Sequence, residues 1–335
     1  MLLNLVEAGV NVLAIMTISH FLQWQPNVFL YRNLGWRFGC QYLFFLGGLY
    51  YALSWAEKRK ISRAAEDAFG SQKTPSELRG LKKRIIRGTL AHYFEKIFNA
   101  YEDLPGLNSF LREHIIAPPL HKLDEAVKRN KGVLFVTAHY GGVEYLPVFL
   151  AMHHYPLSVV FKCRTSQLQH ALHKRAEELE IRVIDPEKGN TAASVLKDLK
   201  ANRIVFIECD EIEAWSPSKK EKMAFLGKEI GVDRTLNLLQ KRSGAEIIFG
   251  IAQRFDLHTY RLILETYEDI LSHLVCVPSS PAAALLKRLE YFIYAFPDEW
   301  YQWKLYANLD DPAGRTRTMK GRKLARVFEP SFRPA

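Results

Sequence analysis

The stretch that decides the fold is GVLFVTAHYGGVEYLPVFL, residues 132–150. It starts with an apolar run without alternation, GVLFVTA, which is typical of a strand buried on both faces of a sheet. His139 follows directly, and a glycine pair then separates it from Glu144 and a second apolar run. The pattern predicts a strand, a tight bend and a helix, with the histidine and the glutamate on either side of the bend.

Apolar strands and amphipathic helices alternate along the rest of the chain. The predicted strands cover 132–138, 157–162, 182–185, 203–208, 245–252 and 260–266, and the predicted helices cover 143–152, 167–179, 191–200, 235–242 and 282–296. Such alternation indicates an α/β fold with a mainly parallel central sheet flanked by helices. Before the first strand, residues 60–101 have helical periodicity. After the fourth strand, residues 209–224 read as a polar loop.

The N-terminal residues 1–57 differ in composition from the rest of the chain. Residues 38–55 are apolar and contain no charged side chain, and a basic cluster comes directly after them: Lys58, Arg59, Lys60 and Arg63. Eighteen residues lie at the lower limit for a bilayer span, so the segment is expected to be a membrane-associating helix that either spans or lies in the interface. If it spans, the basic cluster places its C-terminal side in the cytoplasm. A buried core helix is the alternative. The expected domains are therefore 1–57, an α/β domain at 58–310 and a basic tail at 311–335.

The chain is basic, with 46 Lys and Arg against 36 Asp and Glu and a formal net charge of +10. This balance favours anionic partners, such as an anionic lipid leaflet, an acidic carrier protein or nucleic acid. Aromatic residues lie mostly in apolar segments rather than between surface arginines, so no nucleic-acid partner is expected. A basic run at 82–87 is either a solvated helix face or a contact for lipid phosphates. The four cysteines form no CxxC pair, which argues against a structural zinc site and against a dense disulfide framework.

Three polar residues follow predicted strands. His139 ends the first strand, Arg164 follows the second and Asp210 follows the fourth. Ligands of parallel sheets bind beyond the carboxyl ends of the strands, so these residues are expected to meet at one edge.

The bend after His139 allows the Glu144 carboxylate to fold back onto the imidazole. A histidine held by a carboxylate has a fixed tautomer and raised basicity, which suits a general base that takes a proton from an alcohol. Gly141 and Gly142 would leave backbone N–H groups free to stabilise an oxyanion. The alternative is a core histidine that is satisfied by a neighbouring acid.

Several of these segments together resemble the bacterial lipid A biosynthesis acyltransferases, a branch of the lysophospholipid acyltransferase superfamily. The resemblance covers roughly residues 30–305. The matching segments, in order, are HYGGVE (139–144), VVFKCR (159–164), FIECDE (206–211), AFLG (224–227) and FPDEWYQWK (296–304). Two departures from the family pattern are Gly142-Val143 in place of Asn-Trp, and CDE in place of an Asp-Gln pair.

The resemblance implies a membrane-associated enzyme on the cytoplasmic face of the bacterial inner membrane. It would transfer a fatty acyl chain from a thioester donor, acyl carrier protein or acyl-CoA, to a hydroxyl of a glycolipid such as a lipid A precursor. His139 would be the general base, Glu144 its orienting acid, Arg164 a phosphate ligand, and Asp210 a residue that positions the acceptor or Arg164. The resemblance implies neither a metal nor a tightly held cofactor. The departures leave other acceptors open: a phospholipid, another glycolipid or an aminolipid.

Three other classes of function remain open from the residues alone. A metal-dependent hydrolase would use His139, Glu144 and Asp210 as ligands, although no HExxH motif is present. A cysteine hydrolase would pair Cys209 with His139. A membrane-binding protein without catalytic activity would keep the fold and need neither site.

Overall fold

The computed structural model describes residues 18–53, 55–162 and 165–309. Arg164, residues 1–17 of the N-terminal segment and the predicted tail at 311–335 lie outside the described residues. The predicted domain boundaries stay a prediction.

The elements alternate as the sequence predicts from residue 133 onward. The helices are α1 (Ile18–Leu22), α2 (Gln25–Asn33), α3 (Gly35–Leu53), α4 (Trp55–Phe69), α5 (Pro75–Tyr101), α6 (Leu104–His114), α7 (His121–Lys128), α8 (Leu146–Met152), α9 (Ser166–Glu178), α10 (Thr191–Lys200), α11 (Arg234–Ser243), α12 (Tyr267–Ser272) and α13 (Pro281–Ala295). The strands are β1 (Ile115–Ile116), β2 (Val133–Thr137), β3 (Leu157–Val160), β4 (Arg182–Ile184), β5 (Ile204–Glu208), β6 (Pro217–Phe225), β7 (Lys228–Asp233), β8 (Glu246–Arg254) and β9 (Tyr260–Thr266). Short 3₁₀ turns cover Val143–Tyr145, Ile212–Ala214, Pro297–Glu299 and Tyr301–Asn308.

Seven of the described strands form one sheet in the order β1-β9-β8-β2-β5-β3-β4. The five strands from β8 to β4 are mutually parallel, and β9 runs antiparallel to β8. Helices pack on this sheet, for example α7 against β8 and β9, and α10 against β4 and β5. The predicted α/β fold with a mainly parallel, helix-flanked sheet is therefore confirmed. β2 lies inside the sheet and is buried along its whole length, which explains its run of apolar residues without alternation.

The predicted polar loop at 209–224 is wrong in its second half. Residues 217–225 form β6, which pairs antiparallel with β7 as a separate hairpin. The charged sequence of β6 hid this strand because most of its side chains are at least partly exposed, while Phe225 at its end is fully buried. The hairpin turns at Leu226 and Gly227, both with positive φ.

α3 corresponds to most of the apolar stretch at 38–55, and it has two apolar sides. One side packs on α5, where a Cβ on Gly47 would lie 2.2 Å from a terminal methyl of Leu90, so a larger residue would require the Leu90 side chain to move. Phe38, Phe45 and Leu49 are exposed on the other side. Among the residues that the structure describes, no helix has the length and apolarity needed to cross a membrane.

The register of the sheet sets the position of the site. Thr137 at the end of β2 lies opposite Glu208 at the end of β5, and the Cys209 N–H donates to the Thr137 carbonyl at 2.8 Å. The two strands therefore leave the sheet side by side, and the residues that come after them, His139 and Asp210, become neighbours.

Candidate active site

His139 and Asp210 form a direct pair at the carboxyl edge of the sheet. His139 Nδ1 lies 3.1 Å from Asp210 Oδ1, and the backbone N–H of His139 donates to both oxygens of the same carboxylate, at 3.0 and 3.1 Å. A carboxylate in this position accepts the Nδ1 proton, which fixes the tautomer and leaves Nε2 as the nitrogen that can take up a proton. As expected from the sequence, His139 and Asp210 lie side by side at one edge of the sheet.

Asp210 is held rigidly for this role. Its side chain has no exposed surface, and it accepts a further hydrogen bond from Trp300 Nε1 at 2.8 Å. A buried carboxylate that accepts several N–H bonds is satisfied as an anion and keeps its orientation. Trp300 and Trp303 are both almost completely buried. Trp300 therefore contributes to the site through its hydrogen bond to Asp210 and not through an exposed ring surface.

Two further carboxylates face the other nitrogen of His139. Nε2 lies 3.3 Å from Glu208 Oε2 and 3.7 Å from Glu211 Oε2. Burial lowers the pKa of His139, but the three carboxylates outweigh it, led by Glu208 and Asp210, and raise that pKa to about 10. Burial likewise raises the pKa of Glu208 to about 7, against the lowering effect of His139. For Nε2 to take a proton from an acceptor hydroxyl, that hydroxyl has to come between Nε2 and Glu208, or displace the carboxylate.

His139, Glu208 and Glu211 together offer a ligand set for a metal ion. One imidazole nitrogen and one oxygen from each of Glu208 and Glu211 lie within 4.8 Å of one another. Nitrogen and carboxylate oxygen suit a divalent cation such as Zn²⁺. A cation would bind through the Nε2 lone pair, so metal binding and general-base action by His139 exclude each other.

Glu144 contacts a different set of residues from the one expected. Its carboxylate lies 2.8 Å from Lys96 Nζ and 3.5 Å from His92 Nε2, and both of these residues belong to α5. Within the described residues, the ion pairs of His139 are with Glu208, Asp210 and Glu211. The expectation that Glu144 folds back onto the imidazole is therefore wrong, because the 3₁₀ turn at 143–145 directs the side chain toward α5.

The glycine pair also differs from the expectation. The N–H of Gly141 donates to the Glu299 carbonyl at 3.0 Å, and that of Gly142 donates to the Ala252 carbonyl at 2.8 Å. Both N–H groups are thus engaged with backbone oxygens rather than free for an oxyanion. The glycines permit close packing instead: a Cβ on Gly141, whose φ is +57°, would lie 2.0 Å from the Ala252 oxygen. A Cβ on Gly142 would lie 2.6 Å from the Tyr260 ring.

Tyr301 links the His139 side of the site to the Glu144 side. Its ring stacks on His92 at 3.9 Å between centroids and lies 6.1 Å from the His139 ring, and its N–H donates to the His139 carbonyl at 2.8 Å. Lys304 Nζ donates to the Tyr301 hydroxyl at 2.8 Å. Burial raises the pKa of Tyr301, but Lys304 and Lys96 outweigh it and lower that pKa below its ordinary value.

The family comparison covers this whole region. The family model described as "Bacterial lipid A biosynthesis acyltransferase" matches residues 75–304, which include every residue of the site. The chain belongs to this family. A search of curated proteins found no relative that matches it. As a member, the protein is an acyltransferase of the lipid A biosynthesis type.

Sequence reasoning missed several residues of the site of this acyltransferase. Glu208 had a readable signal, since it ends a strand next to the predicted site residue Asp210. His92 and Lys96 lie one helical turn apart on α5, and nothing in that helix marks them as site residues. Tyr301 lies in an aromatic-rich segment that is equally typical of core or of a groove lining.

Cys209 lies beside the site, but its environment does not favour nucleophilic chemistry. The side chain is buried, and burial together with Asp210 raises the pKa of the thiol well above its ordinary value. Reactive cysteines need a lowered pKa, because the thiolate is the nucleophile. The cysteine-hydrolase alternative therefore loses its physical basis.

Proposed function

We propose that this acyltransferase moves a fatty acyl chain from a thioester donor, acyl carrier protein or acyl-CoA, to a hydroxyl of a glycolipid such as a lipid A precursor. The observation that carries the proposal is the His139–Asp210 pair at the carboxyl edge of the sheet. Such a pair leaves one imidazole nitrogen in a fixed direction as a proton acceptor. Family membership supplies the reaction class.

In the proposed reaction, Nε2 of His139 takes the proton of the acceptor hydroxyl while that oxygen attacks the thioester carbonyl carbon. Asp210 accepts from Nδ1–H and stabilises the imidazolium that forms. The C–S bond of the tetrahedral intermediate then breaks, and the imidazolium returns its proton to the departing thiolate. The products are an ester and a free thiol, and neither a covalent enzyme intermediate nor a cofactor is required.

Glu144 is proposed to affect the reaction indirectly, without contacting His139 or the substrates. Its carboxylate holds Lys96, which lies with its charge toward the Tyr301 ring, 5.9 Å from the centroid. Tyr301 in turn lies against His139. A substitution of Glu144 would therefore change the position of the His139 imidazole indirectly, through Lys96 on α5 and the Tyr301 ring. Arg164 is kept as a proposed phosphate ligand of the donor or the acceptor.

The membrane is the proposed location of the reaction, on the cytoplasmic face of the bacterial inner membrane. Large apolar side chains are exposed on the N-terminal helices, in the short connections between them and at the start of α4: Trp24, Phe29, Leu34, Phe38, Phe45, Leu49 and Trp55. Exposed Lys58, Arg59 and Lys60 follow them. Apolar side chains flanked by cations are typical of a helix that lies in a lipid interface. The positive net charge also suits an acidic carrier protein as acyl donor.

A comparison of lipids from two bacterial cultures tests the reaction. One culture expresses the intact protein and the other expresses His139→Ala at equal abundance. A lipid that gains one acyl chain only with the intact protein would support acyl transfer and identify the acceptor, whether glycolipid, phospholipid or aminolipid. Loss of an acyl chain from a lipid would instead support a hydrolase that uses the same site. Identical lipid profiles, with no reaction of a purified acceptor panel, would contradict both.

A further inference from the structure

An open cavity of about 640 Å³ lies apart from the His139 site, between α3, α5, α6 and the turn that joins β8 to β9. Its lining includes an aromatic ring, two guanidinium groups, two imidazoles and one carboxylate: Trp36, Arg37, Arg87, His114, His258 and Asp256. None of these residues takes part in the proposed acyl transfer.

The wall of this cavity is packed around Trp36. The indole ring makes edge contacts with His114 and His258, at 5.3 and 4.7 Å between centroids, and the Arg37 guanidinium lies 5.2 Å from the ring. The imidazoles are thus held in place by aromatic contacts. Nδ1 of His258 is buried and has no hydrogen-bond partner among the described residues. Because this nitrogen has almost no accessible surface, a ligand in the cavity does not contact it in this conformation.

The charge of the cavity is positive and unpaired. Arg37 and Arg87 are exposed, and within the described residues neither forms an ion pair. Asp256 is the one carboxylate in the lining, and it accepts backbone N–H bonds from His258 and Thr259, both at 2.8 Å. The Asp256 carboxylate therefore binds backbone groups of its own turn and not the arginines, and both guanidinium groups can bind an anion.

The position of the cavity indicates where this anion comes from. Arg37 belongs to α3, next to the exposed Phe38, and Phe45 is exposed further along the same helix. A ligand that contacts both the arginines and these side chains has an anionic group joined to an apolar group. Guanidinium groups match phosphate oxygens in a bidentate way, and imidazoles add donors.

We propose that this cavity binds the phosphate monoester of a membrane-lipid head group, with Arg37 and Arg87 as its charge partners and the acyl chains against the exposed face of α3. Binding at this cavity requires only that the lipid carries a phosphate. It does not depend on acyl transfer at His139.

Calorimetric titration of the full-length protein in a neutral detergent tests the site, with dihexanoyl phosphatidic acid as the probe. The test variant is Arg37→Gln/Arg87→Gln, and we expect its affinity to fall at least tenfold, which equals about 1.4 kcal/mol. The matched control is Lys241→Gln/Arg242→Gln on α11, which removes two exposed cations that also lack an ion pair among the described residues. This control should bind as the intact protein does. Dihexanoylglycerol, which has no phosphate, should not bind.

Three results would overturn the proposal. The first is equal weakening in both double variants, which would mean non-specific attraction by surface charge. The second is unchanged affinity in Arg37→Gln/Arg87→Gln. The third is binding of inorganic phosphate as tight as that of the lipid, which would assign the cavity to free phosphate. His139→Ala should keep full binding of the probe, so failure of this site and failure of the proposed acyl transfer can be told apart. Unchanged melting temperatures would verify that the variants fold.

Discussion

Replacing Glu208 with glutamine is a direct test of the electrostatics of the site. The Glu208 carboxylate lies 3.3 Å from Nε2 of His139, and together with the other carboxylates it raises the pKa of that imidazole to about 10. A base must be neutral to accept a proton, so activity of the intact protein should rise with pH toward that value. Glutamine keeps the shape of the side chain and removes the charge. The pKa of His139 should therefore fall, and neutral base should be present at lower pH.

The size of the shift follows from the distance. Two unit charges 3.3 Å apart interact by about 1.3 kcal/mol even with the dielectric constant of water, which corresponds to roughly 0.9 pKa units. The lower effective dielectric of a partly buried site makes the interaction stronger. The acidic limb of the pH profile of kcat/KM should therefore move down by at least about one unit in Glu208→Gln.

The assay is acyl transfer by purified protein across pH 6 to about 10.5, with the acceptor identified in cells. Glu211→Gln should give a smaller shift, because its oxygen is 3.7 Å from Nε2 and its side chain is more exposed. Glu268→Gln, on the exposed side of α12, should give none. A limb that stays in place or moves upward in an active Glu208→Gln protein would refute this reasoning.

Four further predictions concern the same site. Asp210→Asn should lower kcat at least a hundredfold, and more than Glu144→Gln does, because Asp210 alone of the two contacts the imidazole; equal losses in steady-state assays would contradict this order. Gly141→Ala should lower the free energy of unfolding by about 2 kcal/mol more than Gly244→Ala, since both have positive φ but only Gly141 faces a backbone oxygen, and chemical denaturation measures the difference. Cys209→Ala should retain acyl transfer within a few-fold, whereas complete loss of activity in a folded Cys209→Ala protein would support the hypothesis of a nucleophilic cysteine. Chelation followed by dialysis should leave activity unchanged, and recovery only on adding a divalent cation would assign His139, Glu208 and Glu211 to a metal.

The sheet was predictable because its strands carry strong local signals. β2 and β5 are continuous apolar runs inside a parallel sheet, and parallel strands place the residues that come after them at a common edge. His139 and Asp210 were expected near each other for this reason alone. β6 gave no such signal, because its charged side chains match a solvated loop as well as a strand with an exposed face.

The partner of His139 could not be read from spacing. Glu144 is five residues away in sequence, but Gly141 bonds to the Glu299 carbonyl and the next turn carries the glutamate toward α5. Asp210 is 71 residues away and reaches the imidazole through the pairing of β2 with β5. Contacts of this kind depend on strand order, which a single sequence does not specify.

A single-turnover measurement of acyl transfer tests the central claim most directly. The purified intact protein and His139→Ala are each mixed with a labelled acyl thioester and the acceptor lipid identified in cells, and the acylated product is followed by mass. We expect His139→Ala, folded and able to bind both substrates, to form product at least a thousandfold more slowly. Product formation by His139→Ala at a rate close to that of the intact protein would contradict a general base at this position.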